Sequence, residues 1–222
     1  MREIDRIVVE ELGISLLQMM ENAGRALAEL TRMHLGGLSG RRVVVLAGRG
    51  GNGGGGLAAA RRLAIWGAEV RVVMAHPEAE LADAPRRQLA ALKAMDVPFD
   101  NSAELGGADV ILDALLGYSL AGAPREPEAR LIRAANSVRA PTIALDLPSG
   151  LDPDRGTPHD PTIRATRTMT LAVPKVGLLR PEAAGYVGEL WLADISVPPQ
   201  AYAGLGLDVG SLFAESDLVR LG

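Results

Sequence analysis

The 222-residue chain contains no cysteine, which excludes a disulfide framework, a thiolate zinc site and a cysteine nucleophile, and leaves the redox compartment open. It has no basic excess either. Its 23 lysines and arginines face 27 aspartates and glutamates, a net charge of −4, whereas phosphate-backbone binding needs a positive surface. Nucleic acid is therefore not an expected partner. No apolar run reaches the 18 residues needed to cross a bilayer, and Met1 to Gly13 alternates charged with apolar residues instead of forming the apolar core of a signal peptide. A soluble, cytoplasmic protein without membrane association is expected. The 14 prolines and 26 glycines are not concentrated in a linker, so a single domain over residues 1–222 is expected, with enough apolar residues for one core.

Missing motifs narrow the chemistry further. There is no G-x-S-x-G nucleophile elbow. His34, His76 and His159 lack metal-ligand spacing and read as surface or loop histidines. The glycine-rich stretch is not followed by the Lys and Ser/Thr of a Walker loop.

What is present is an alternation of helical and strand patterns. Ser15-Leu16-Leu17-Gln18 has the form of a capping box, and Met19, Met20, Ala23, Ala26, Leu27 and Leu30 recur at helical spacing until Gly36-Gly37. Apolar strands are predicted at 42–47, 70–75, 109–112, 142–145, 168–173 and 190–195, with helices at 57–67, 85–95 and 127–138 between them. This order predicts an α/β, three-layer Rossmann-like sandwich with a mostly parallel central sheet.

In such a fold, ligands bind beyond the carboxyl ends of the strands. Three strand ends carry polar groups. Residues 48–56 fit G-x-G-x-x-G at Gly48, Gly50 and Gly53, where backbone N–H groups and a helix N-terminus suit a phosphate; the same glycines equally suit close packing or positive φ. The second strand ends in Met74-Ala75-His76-Pro77, without the acid that a dehydrogenase uses on the ribose. Asp113, Asp146 and Asn52 would direct oxygens towards one crevice, where a hard cation could bind with help from Ser149 and backbone carbonyls. Either aspartate alone reads as well as a turn residue.

Asp146 stands where general acid–base work would be placed. Lys175, one of only two lysines, lies among apolar neighbours, so desolvation suits it to proton transfer, an ordinary strand-end salt bridge being the alternative. Asp146 and Lys175 are the expected catalytic pair. Asn22, polar on an apolar helix, is a candidate for lining the crevice, and Arg49 for a phosphate contact, an exposed loop arginine being the equal alternative.

Together, Asp5 with Glu11-Leu12-Gly13-Ile14, Met20-Glu21-Asn22-Ala23-Gly24, the glycine loop, Asp113-Ala114-Leu115-Leu116-Gly117, Gly122 with Arg125-Glu126-Pro127, Asp146 to Asp152, and Pro174-Lys175 resemble the YjeF N-terminal domain family. These are the NAD(P)H-hydrate (NAD(P)HX) epimerases, also known through the apolipoprotein A-I binding protein. The resemblance implies interconversion of the R and S forms of hydrated NADH and NADPH, a small-molecule dinucleotide substrate, with the dehydratase on a separate chain. It implies a potassium ion near Asn52, Asp113 and Ser149. It also implies cofactor contacts from Gly51, Asn52, Gly53, Gly54 and Gly55, from Gly117, Tyr118, Ser119, Leu120, Ala121, Gly122 and Ala123, and from Asp146. The loop departs from the family's G-P-G-N-N-G-G-D-G, with Gly51 and Gly55 in place of an asparagine and the aspartate. A weakened or inactive nucleotide-binding sensor or scaffold on the same fold is the alternative, an ordinary nicotinamide-dependent oxidoreductase a further one, and a homodimer stays open.

Overall fold

The computed structural model describes residues 1–221. Its layers follow from the two-residue period of the strands. In β1 (Arg42–Ala47), Val43, Val45 and Ala47 enter one hydrophobic cluster, and Val44 and Leu46 enter another, as a strand covered on both faces requires.

The sheet order is β3-β2-β1-β4-β5-β6-β7-β8, where β2 is Glu69–Met74, β3 Phe99–Asp100, β4 Val110–Ala114, β5 Thr142–Leu145, β6 Arg167–Leu171, β7 Glu189–Ala193 and β8 Leu218–Arg220. All neighbours are parallel except β7 and β8. The chain steps outward from β1 through β2 to β3, then returns to the other side of β1 as β4. That reversal opens a crevice at the carboxyl ends of β1 and β4.

Helix α1 (Arg2–Arg6) continues as a π-helical turn over Ile7–Glu11. Its Ile4, with Ile7 and Val8, packs against Met19 and Ala23 and against Ile195, Ala201 and Tyr202 near the other end of the chain. Helix α2 (Leu16–Leu35) has both arms of the expected capping box, Ser15 N–H to Gln18 Oε1 at 2.8 Å and Gln18 N–H to Ser15 Oγ at 3.4 Å, and it ends on Gly36 at φ +64°. With α3 (Gly51–Ile65) and α4 (Asp83–Ala94) it covers one face of the sheet, and α5 (Glu128–Ser137) covers the other.

The predicted fold class is the one observed. The differences lie at boundaries. Helix α3 begins six residues before the expected Leu57, because tertiary packing overrides the poor helix propensity of glycine, about 1 kcal/mol per residue. The strand predicted over 109–112 runs over Val110–Ala114, so Asp113 lies inside it. The short strands β3 and β8 carry too few residues for a periodic signal.

Candidate active site

At Gly48 and from Gly53 to Gly56 the glycines are needed for contact, not for unusual backbone angles. A Cβ on Gly48 would lie 2.0 Å from Leu115 O, and one on Gly53 would lie 1.9 Å from Gly48 O. None of Gly48 to Gly56 has positive φ. Helix α3 is thus pressed against the end of β4, with Gly50 as N-cap and the first intrahelical bond from Gly54 N–H to Gly50 O at 3.1 Å. The N–H groups of residues 50–53 have no acceptor within the helix.

Beside this helix end lies a cavity of about 570 Å³, within the range of small-molecule sites. Among the residues expected at the ligand, Gly51, Asn52, Gly55, Gly117, Tyr118, Ser119, Leu120, Ala121 and Asp146 line it, as does Arg49. Gly53, Gly54, Gly122, Ala123, Asp113, Ser149 and Lys175 stand outside its wall. Asn22 also lies elsewhere, its amide donating to Ile195 O at 3.4 Å.

Asp146 and Lys175 are delivered by the same local device. Leu147 N–H donates to Leu145 O at 2.9 Å around Asp146 at φ +71°, and Val173 N–H donates to Leu171 O at 2.6 Å around Ala172 at φ +60°. Each is a γ-turn of the strained, positive-φ kind at a strand end. The first is anchored by Asp146 N–H on Met169 O at 2.7 Å. The side chains then meet: Lys175 Nζ donates to Asp146 Oδ1, to Thr170 Oγ1 at 3.2 Å and to Leu171 O at 3.1 Å. All three ammonium hydrogens are used, and both side chains of the pair are 6% exposed. The other carboxylate oxygen accepts Tyr118 N–H at 3.3 Å. Asp146 faces the cavity; Lys175 stands behind it.

Asp113 lies beneath the crevice, fully buried. Its carboxylate accepts Ser149 Oγ–H at 2.7 Å, Ser149 N–H at 2.8 Å and Leu115 N–H at 3.3 Å. Burial pushes its carboxyl up to about 6, against those hydrogen bonds. Ser149 Oγ also accepts Leu116 N–H at 2.9 Å, and Asn52 Nδ2 donates to Leu116 O at 3.0 Å. Asn52, Asp113 and Ser149 are therefore linked through the segment 115–117. Among the described residues, no basic side chain pairs with Asp113, and no three His, Cys, Asp or Glu side chains converge as a metal cluster.

Two polar contacts at the cavity went unread in the sequence. Asp5 on α1 lines the cavity and accepts the Tyr118 hydroxyl across 113 positions of chain. Burial raises the Asp5 carboxyl, with the Tyr118 bond opposing. At the other end, Glu128 lines the cavity with His76 Nε2 at 2.6 Å from its Oε1, while His76 Nδ1 is 3.0 Å from Glu80 Oε2. His76 is thus a largely buried partner of two carboxylates, not a free surface histidine, and an acid does stand near the end of β2, supplied by α5. No spacing rule links these pairs in sequence.

Residues 16–177 match the family described as YjeF-related protein N-terminus. The chain is 49% identical over its whole length to a protein of Dehalogenimonas lykanthroporepellens named NAD(P)H-hydrate epimerase, covering 90% of it. Over 89% of its length it is 44% identical to the "Bifunctional NAD(P)H-hydrate repair enzyme Nnr" of Hyperthermus butylicus, of which it spans 38%. The crystal structure of yeast ynu0 superposes with a TM-score of 0.83 at 25% identity, covering 99% of this chain and 96% of that one. With a family match over most of its length and a 49% identical relative aligned along the whole of it, the chain belongs to the YjeF-related protein N-terminus family.

Proposed function

We propose that this protein interconverts the R and S forms of hydrated NADH and NADPH. The observation that carries the reading is the placing of Asp146 and the free N–H groups of α3 around one cavity. The whole-length identity with a relative named NAD(P)H-hydrate epimerase supports it.

The hydrated ring carbon bears a hydroxyl beside the ring nitrogen. Loss of that hydroxyl as water and its return from the opposite face inverts the centre without any electron acceptor. Asp146, held by Lys175 and by Tyr118 N–H, is placed to take or give a proton at the hydroxyl and to stabilise positive charge on the ring nitrogen. Lys175 has no free ammonium hydrogen and stands outside the cavity wall, which fits positioning of Asp146 better than a direct proton relay. The first turn of α3, with Arg49 beside it, suits the pyrophosphate.

A potassium ion fits the cluster beneath. Asp113 is a buried carboxylate without a basic partner, and Asn52, Ser149 and backbone carbonyls add neutral oxygens. When bound, the ion would supply a fixed positive charge under the segment 115–117. The chain matches the shorter epimerase over nearly all its length and the bifunctional relative over part of it; in repair of the cofactor a dehydratase would act on the product, in the cytoplasm.

The test is an assay on the purified protein that follows the R-to-S ratio by chromatography. Equilibration well above the spontaneous rate is expected. Tight binding of NADH with no acceleration would replace the enzyme with a nucleotide-binding sensor.

A further inference from the structure

We propose that Asp5 is a second proton-transfer group of this site, working on the ring face that Asp146 does not reach. The inference rests on the epimerase reading and adds a residue to it.

The R and S forms carry their hydroxyl on opposite faces of the ring. A ring held in place presents that hydroxyl first to one wall and then to the other. Asp146 is not free to follow: one oxygen is held by Lys175, the other by Tyr118 N–H, and its backbone is fixed in the γ-turn. Asp5 reaches the same cavity from α1. Tyr118 stands between the two carboxylates, giving its N–H to Asp146 and its hydroxyl to Asp5. Helix α1 is short but well anchored, with Ile4 completely buried and Ile7 and Val8 in the cluster with Met19 and Tyr202.

The charged and polar groups around Asp5 are suited to a proton donor. Burial and the Asp146 charge raise its carboxyl, while the Tyr118 hydroxyl, the amino terminus and Lys175 lower it, and the net direction is up. Among the described residues it has no salt-bridge partner, in contrast to Asp146.

The step balances without a further reactant. Protonated Asp5 gives its proton to the ring hydroxyl; the C–O bond breaks with its electron pair on oxygen, and water leaves as the nitrogen lone pair forms C=N. A water on the other face then adds through oxygen, its proton passes to Asp146, and the C=N pair returns to nitrogen. One proton has moved from Asp5 to Asp146. Isomerisation in the other direction moves it back, or solvent resets it. Both competent forms hold one shared proton, so both directions follow one bell-shaped pH profile.

The experiment compares wild type, Asp5→Asn and Tyr118→Phe in R-to-S and S-to-R rates across pH, with NADH affinity and thermal midpoint measured beside them. Asp5→Asn is expected to slow both directions by about 10²–10⁴-fold, to lose one limb of the bell and to bind NADH within a few-fold of wild type. Tyr118→Phe is expected to lose less rate and to move the alkaline limb of the bell to higher pH, because the hydroxyl that lowers Asp5 is gone. Wild-type rates and an unchanged profile in Asp5→Asn overturn the proposal while leaving the epimerase reading intact. A loss that only parallels weaker NADH binding or a lower midpoint also overturns it. No epimerisation by the wild type overturns both.

Discussion

Gly55 and Leu145 compete for one space at the cavity wall: a Cβ on Gly55 would stand 2.9 Å from Leu145 Cδ2. A leucine methyl group from β5 thus crowds the first side-chain atom of any other residue at position 55. Gly55→Asp alone is expected to cost about 1–3 kcal/mol through overpacking. In the background of Leu145→Ala, which itself leaves a cavity, the same change is expected to cost less, with a coupling of about 0.5–3 kcal/mol. Urea midpoints of the four proteins check this, and a fully stable Gly55→Asp would show that Leu145 yields freely.

Breaking the Asp146–Lys175 pair has two separable consequences. Asp146→Asn is expected to lower epimerisation by about 10²–10⁴-fold. Lys175→Met leaves a buried carboxylate without its cation and is expected to cost about 3–5 kcal/mol of stability as well as rate. The double variant, with neither charge, should be more stable than Lys175→Met. Chemical denaturation decides it, and strictly additive losses would mean that the pair carries no coupling.

If Asp113, Asn52 and Ser149 hold potassium, binding to the folded state alone raises its stability by RT ln(1 + [K⁺]/Kd). The thermal midpoint is expected to be higher in potassium chloride than in choline chloride of equal ionic strength. Asp113→Asn should abolish that difference. Equal midpoints for the wild type in both salts would remove the ion from the site.

The raised carboxyl of Asp5 makes a pH prediction of definite sign. Its folded state holds the proton more tightly than the unfolded chain, for which the ordinary value is 3.8. The resulting stabilisation is complete below pH 3.8 and is lost as pH rises through the folded value. Asp5→Asn, which does not ionise, should therefore gain on the wild type as pH rises from 3.8 towards neutrality. Parallel stability curves from urea titrations would show that burial leaves Asp5 unshifted.

Local signals in the sequence determined the layers and several element ends. Ser15 and Gln18 lie three positions apart, the spacing at which a helix N-terminus closes its own hydrogen bonds, and Val43 to Ala47 alternates between two cores because a strand has a period of two. The same strand ends that promised ligand groups do surround the cavity. The start of α3 was not legible, because glycine weakens a helix locally and only the approach of the Gly48 backbone and of Met20 explains Gly53 and Gly54. Tertiary structure also decided depth: it put Asp146 at the wall, Lys175 behind it and Asp113 below. Asp5 with Tyr118, and His76 with Glu128, were decided there too. Such contacts join residues far apart in the chain, and their distances are set by strand order and helix packing, for which no spacing along the sequence stands.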